Sequence, residues 1–283
     1  MLAYIVGMDI YEEVQDFYER ATTEKRVIGE SVFGRKIFAL KIGNGSPVGI
    51  AQYAMHGREF ATAKLALRHL ELGTDTGSFW IVPLVNPDGA LLSQKGLQSV
   101  SDREMKRKLL EWNGDKDFSQ WKANGRGVDL NVNFPARWGK GVKNTFVAGA
   151  ENYIGKKPFS EPETVALKKF TEEINPDYTI SYHTKGEEIY WYFYQSIYAC
   201  ALDKALALAL SRSTGYPLRF AKGSAGGYKD WCIERRKIPA FTVEAGLDTL
   251  THPIQGEGVY DIIIKNERAL RDLAKEYKVR CGN

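Results

Sequence analysis

Cysteine is scarce in this chain: Cys200, Cys232 and Cys281 are the only three in 283 residues. An odd, widely spaced set makes neither a disulfide framework nor a CxxC metal knuckle, so a reducing compartment is expected. No apolar run is long enough to span a bilayer, and no membrane partner is expected. Charge of one sign is missing too. The 39 basic and 35 acidic residues are well mixed and leave a net +4, so no nucleic-acid footprint stands out. The start, Met1 to Asp9, is apolar but has no basic segment before it and no cleavage-site pattern, and it runs into a charged helical stretch. It does not read as a signal peptide, which favours the cytoplasm. A chain trimmed of a leader or wall-binding module would read the same, leaving an extracellular location open. Nothing in the sequence speaks to oligomeric state.

What is present is the composition of an ordinary globular protein, 43% hydrophobic and 26% charged. A chain this long buries about three quarters of its unfolded surface and needs no staple. The spacing of Ile10, Val14, Phe17 and Ala21 predicts a helix. Residues 26–43 alternate as a hairpin would. Val48 to Ala54 and Ser78 to Val85 read as buried strands, the second ending at Asn86-Pro87-Asp88-Gly89, and Ala61 to Leu72 as a helix. Residues 90–127 read as loop-rich and charged. Beyond them come a helix over Pro162–Ile174, a strand over Tyr178–Tyr182, a helix over Lys204–Ser213, a strand over Ala240–Glu244 and a final helix over about 257–278. No linker, repeat or low-complexity segment interrupts the alternation. The pattern predicts a single α/β domain, 1–283, with a mixed, mostly parallel twisted sheet between helices, an α/β/α sandwich.

In such sheets the ligand sits beyond the carboxyl ends of the strands. Three of those ends carry reactive side chains: His56 with Glu59, His183, and Glu244. Two histidines and a glutamate make a catalytic zinc set with a fourth position left for water. A carboxylate must still move that water's proton, and Glu244 is the candidate. Taken singly these signals are weak, since His-x-x-Glu arises by chance and a lone buried histidine is commonly a core residue. Only four histidines compete. His69 lies in a helical pattern where packing or solvent explains it, and His252 precedes Pro253 in what reads as a surface turn. The metal reading gains its weight because the pieces fall at the same end of the sheet.

Several motifs run together in order: Glu30-x-x-x-Gly34-Arg35, His56-x-x-Glu59, Asn86-Pro87-Asp88-Gly89, Gly127-Val128-Asp129-Leu130-Asn131, Ser181-Tyr182-His183, and Gly226-Gly227-Tyr228-Lys229-Asp230-Trp231 before Phe241-Thr242-Val243-Glu244. In this the sequence resembles the zinc carboxypeptidase family, with the carboxypeptidase A fold. The resemblance implies one zinc per chain, with His56, Glu59 and His183 as ligands and Glu244 as general base. The stretches around Lys122–Asn131, Phe134–Trp138 and His183–Trp191 are most similar to bacterial γ-D-glutamyl-diaminopimelate peptidases. They imply a peptidoglycan-derived peptide as substrate.

The departures from the family pattern carry information. Val132 stands where digestive carboxypeptidases have an arginine that grips the terminal carboxylate, and valine has no donor. Asn131 remains and can still give one hydrogen bond. The oxyanion-stabilising arginine falls on Lys122, with Arg126 as the alternative. The tyrosine that caps the substrate falls on Lys222, so the cap is missing or is supplied by Tyr216 or Tyr228. Lys229 falls at the floor of the pocket beyond the scissile bond, where a cation held by Asp230 suits the distal carboxylate of meso-diaminopimelate. Glu187 is expected to face the amino group at that same end. The leading expectation is therefore a zinc peptidase that cuts the γ-D-glutamyl–meso-diaminopimelate bond. The rivals are a conventional carboxypeptidase, which Val132 opposes, an aspartoacylase-type amidohydrolase, which the Asp-Leu-Asn and Tyr-Lys-Asp-Trp pieces oppose, and an inactive binding module, which would have no need of Glu244.

Overall fold

The alternating segments form β1 (Lys25–Glu30) and β2 (Lys36–Gly43). The apolar runs form β3 (Val48–Tyr53), β4 (Ser78–Val82), β5 (Tyr178–His183) and β8 (Ala240–Glu244), with short β6 (Glu188–Tyr190) and β7 (Leu218–Arg219) beside them. This computed structural model describes residues 7–282, and the Met1–Val6 part of the N-terminal reading lies outside the described residues. The strands make one eight-stranded sheet in the order β1-β2-β4-β3-β5-β8-β6-β7. Its centre is parallel, β4-β3-β5-β8, and antiparallel pairs flank it at β2–β4 and β8–β6. The central strands are buried along almost their whole length, which is why they read as continuous apolar runs and not as alternation.

Helices cover both faces. On one side α2 (Ala61–Leu72), α6 (Ile197–Thr214), α8 (Glu257–Asn266) and α9 (Ala269–Cys281) pack on Tyr53, Ile180, Tyr182, Phe241 and Val243. On the other, α5 (Pro162–Ile174) and the short α7 (Tyr228–Trp231) pack on Ile50, Trp80, Val82 and Ala240. Because side chains alternate along a strand, His183 and Glu244 share this second face with Ser181 and Thr242, and His183 pairs directly with Glu244 across β5 and β8.

Residues 90–127 depart from the expectation of a loop. Asn86 caps α3 (Pro87–Lys95), its side-chain oxygen accepting from Gly89 N at 2.9 Å with proline in the first turn. α4 (Arg103–Asn113) follows, capped by Asp102. The helix expected at 204–213 starts earlier, at Ile197, and the C-terminal helix is two, α8 and α9.

Buried carboxylates tie the loops to this frame. Asp88 accepts from Ser31 Oγ at 2.8 Å, Phe33 N at 2.8 Å and Arg35 Nη1 at 2.6 Å, pinning the β1–β2 turn to α3. Glu163 on α5 accepts from Val32 N and Asn124 Nδ2, both at 3.1 Å. Burial, with Asp88 adding to it, pushes the Glu163 carboxyl up to about 8. A carboxyl raised in the folded state holds its proton longer than in the unfolded chain, so its ionisation weakens the fold as pH climbs from about 4.5 to about 8. Urea unfolding should therefore show the wild type losing stability relative to Glu163→Gln between pH 5 and 8.5, by on the order of a few kcal/mol. A difference that stays constant across that range would mean that Glu163 is ionised throughout.

Candidate metal centre and active site

β3 ends in the turn that carries the first two site residues. Gly57 is required there: a Cβ would come within 2.4 Å of Gly89 O and 2.7 Å of Trp121 O, and its N–H donates to Lys122 O at 2.9 Å. That close approach fixes His56 and Glu59 against the loop that leads to Asp129.

His56 Nδ1 lies 2.9 Å from Glu59 Oε1, and His183 Nδ1 lies 2.9 Å from Glu59 Oε2. The two Nδ1 atoms are 3.0 Å apart. All three residues are buried, and one ligand atom from each falls within 4.8 Å of the others, so the group could hold a metal ion. The donor set, two imidazole nitrogens and a carboxylate, is what zinc takes in catalytic sites. Behind His56, Asp129 places Oδ1 at 3.2 Å from Nε2, leaving Nδ1 to face the cluster. The other oxygen of Asp129 holds Lys122 Nζ at 2.8 Å.

The charges are mutually stabilising. Burial would raise Glu59 and Asp129, but the histidines beside Glu59, and Lys122 with His56 beside Asp129, hold both carboxyls well below the usual range. Lys122 moves up: burial opposes its charge, and Asp129 and Glu59 outweigh burial. Glu244 stands apart. Burial pushes its carboxyl up to about 7, with His183 and Lys122 pulling it down and Glu59 adding to the rise.

A cleft of about 360 Å³ opens over this cluster, lined among others by His56, Lys122, Asn131, Val132, Lys229 and Glu244. Asn131 points Nδ2 to within 3.5 Å of His183 Nε2. Val132 lies on the cleft wall where the family's arginine was missed. Three other expected residues are elsewhere. Arg126 is exposed and 3.7 Å from Glu161, away from the cleft lining. Glu187 pairs with Lys265 at 2.5 Å on α8 and does not line the cleft. Tyr228 is fully buried with its hydroxyl 2.8 Å from Thr171 Oγ1, so it is a core residue and no cap. Tyr216, the other tyrosine considered, is likewise buried against Asn266.

Sequence reasoning missed two neighbours. His252 is no surface turn residue: it is half-buried with Nε2 2.9 Å from Thr184 Oγ1, next to His183. Tyr190 lines the cleft from β6, a strand too short to show a pattern. His69 keeps its packing role, bonded to Tyr53 Oη at 2.6 Å and Asn266 O at 3.0 Å, and burial lowers it to about 4.

Residues 10–256 match the family model described as zinc carboxypeptidase. The chain belongs to the zinc carboxypeptidase family. This is a zinc-dependent family of hydrolases, and the His56-Glu59-His183 group is where this member could hold the ion. A curated relative, γ-D-glutamyl-L-diamino acid endopeptidase 1 of Lysinibacillus sphaericus, is 33% identical over 247 residues, 80% of this chain and 61% of the relative. The chain thus spans less than two thirds of that relative's length. Murein peptide amidase A of Escherichia coli is 34% identical over 131 residues, 40% of this chain and 47% of the relative. Among solved structures, bovine thrombin-activatable fibrinolysis inhibitor, in complex with a tick carboxypeptidase inhibitor, superposes with a TM-score of 0.75 at 20% identity. The match covers 96% of this chain and 98% of that one. This likeness shows the fold. Among the described residues no helix is long and apolar enough to cross a membrane.

Proposed function

We propose that this chain is a peptidase that hydrolyses the γ-D-glutamyl–meso-diaminopimelate bond of peptidoglycan stem peptides. The observation that carries the reading is the cleft wall beyond Glu244, where Val132 offers no grip on a terminal carboxylate and Lys229 is a buried cation. An enzyme that trims ordinary C-termini needs the first, and one that selects a side chain ending in a carboxylate uses the second. The names of the Lysinibacillus endopeptidase and the murein peptide amidase agree with this substrate class.

His56, Glu59 and His183 would hold zinc. When bound, zinc supplies Lewis acidity at the scissile carbonyl and makes water nucleophilic near neutral pH. The chain's own residues do the rest. Glu244 takes the proton of the attacking water and passes it to the leaving amine of diaminopimelate. Lys122 would face the developing oxyanion, its ammonium aimed by Asp129, while Asn131 would give its hydrogen bond to the carboxylate of the diaminopimelate residue next to the scissile bond.

Product analysis tests the reading. L-Ala-γ-D-Glu-meso-diaminopimelate should yield L-Ala-D-Glu and free meso-diaminopimelate, and a hippuryl dipeptide should be cut at least tenfold more slowly. Faster cleavage of the hippuryl peptide would make the chain an ordinary carboxypeptidase. Lys122→Ala should lower kcat by on the order of a hundredfold with little change in KM, since an oxyanion partner acts in the transition state. A rise in KM alone would make Lys122 a substrate anchor.

A further inference from the structure

Lys229 and Asp230 are consecutive residues at the start of α7, both almost fully buried and both lining the cleft. Lys229 Nζ donates to Asp230 Oδ1 at 2.6 Å and to Tyr192 O at 3.3 Å, and sits 5.2 Å from the centre of the Phe193 ring. Asp230 Oδ2 accepts from Gly227 N at 3.2 Å. An ammonium has three donors and a carboxylate about four acceptor positions, so each partner keeps capacity to spare.

The pair is neutral as a unit, and that changes what it selects. A lone carboxylate drawn to Lys229 meets the negative Asp230 beside it, and most of the attraction cancels. A lone ammonium drawn to Asp230 meets Lys229 with the same result. A group that carries both charges on one carbon gains at both poles, because its dipole lies antiparallel to that of the pair. We infer that Lys229 and Asp230 together bind a zwitterionic α-amino acid terminus, the carboxylate on Lys229 and the ammonium on Asp230. The inference rests on the proposed substrate and adds a requirement to it: the distal amino group of diaminopimelate matters as much as the distal carboxylate. It gives Asp230 the role expected of Glu187, which the structure ties to Lys265.

Three peptides test this: L-Ala-γ-D-Glu joined to meso-diaminopimelate, to 2-aminopimelate, which lacks the distal amino group, or to L-lysine, which lacks the distal carboxylate. In each the amino group next to the scissile bond is acylated, so only the first carries a zwitterionic end on that side chain. Each truncation should lower kcat/KM by about tenfold to a hundredfold in the wild type. Asp230→Asn keeps an oxygen for the Gly227 N–H, so the helix start survives. It should close the gap between the diaminopimelate and aminopimelate peptides, and the ratio of their kcat/KM values is the readout. Aminopimelate and diaminopimelate peptides cut within about twofold of each other by the wild type would overturn the inference while the proposed bond specificity stood. An equal loss on all three peptides in Asp230→Asn would also overturn it, reducing Asp230 to a holder of Lys229. If none of the peptides is cut, the proposed reaction fails. Calorimetric binding of the same peptides to the Glu244→Gln protein then decides the pair by itself: tightest binding of the diaminopimelate peptide upholds it, and equal binding overturns it.

Discussion

Glu244→Gln should retain zinc and fold while losing most of its turnover, by about 10²- to 10⁴-fold in kcat. The substitution keeps size and one acceptor oxygen but cannot take a proton. Glu244 closes β8 directly beside His183, lines the cleft, and its side chain makes no hydrogen bond among the described residues that glutamine would break. Its proposed role is proton transfer and not packing. The carboxyl is already raised to about 7 by burial, so removing its charge should if anything steady the fold. Steady-state kinetics and metal analysis on the same preparation check this. A loss smaller than tenfold with zinc intact would assign the proton to another group, and Tyr190 on the cleft wall and His252 beside Thr184 would be examined next.

His183→Ala should abolish near-stoichiometric zinc and with it all measurable peptide hydrolysis. The imidazole would be one of three donors, and its removal leaves His56 and Glu59, which occupy a single turn. Two donors from one turn cannot close a tetrahedral site around zinc. His56→Ala should behave alike. Atomic absorption of the purified proteins reads the result directly. Full zinc in His183→Ala would remove it from the ligand set, and His252, held near it through Thr184, would be tested next.

The sheet and the convergence of His56, Glu59, His183 and Glu244 were legible because strand ends are. Three of the four central apolar runs lead to a reactive residue, and parallel strands deliver their carboxyl ends to one rim. What stayed hidden has specific causes. Asn86-Pro87 is both a turn signal and a helix start, and only the cap bond to Gly89 N decides between them. α4 packs a single fully buried residue, Leu109, so its apolar stripe is faint. β6 and β7, three and two residues long, fall below any period. Glu187 looked like a site residue by adjacency to His183, and its capture by Lys265, 78 residues away, is a tertiary fact. Tyr228 sits inside a motif yet turns inward, since a helical turn sends neighbouring side chains to opposite sides. Lys229 and Asp230 were readable as a cation and its holder. Their near-complete neutralisation within the cleft was not.

Asp129 touches both His56 and Lys122, and this couples their charges through one carboxylate. Glu59 and Asp129 are held ionised against the ammonium of Lys122 in this buried cluster, and Glu244, its carboxyl raised to about 7, adds negative charge as it ionises. A divalent cation would offset that negative charge. Zinc would then be an architectural element as well as a reagent, and binding free energy that favours the folded state would add to stability in proportion to the logarithm of free zinc. Loss of the ion would be felt first at the Gly57 turn and the Lys122–Asp129 segment, which the hydrogen bond between Gly57 N and Lys122 O and the His56–Asp129 contact hold together.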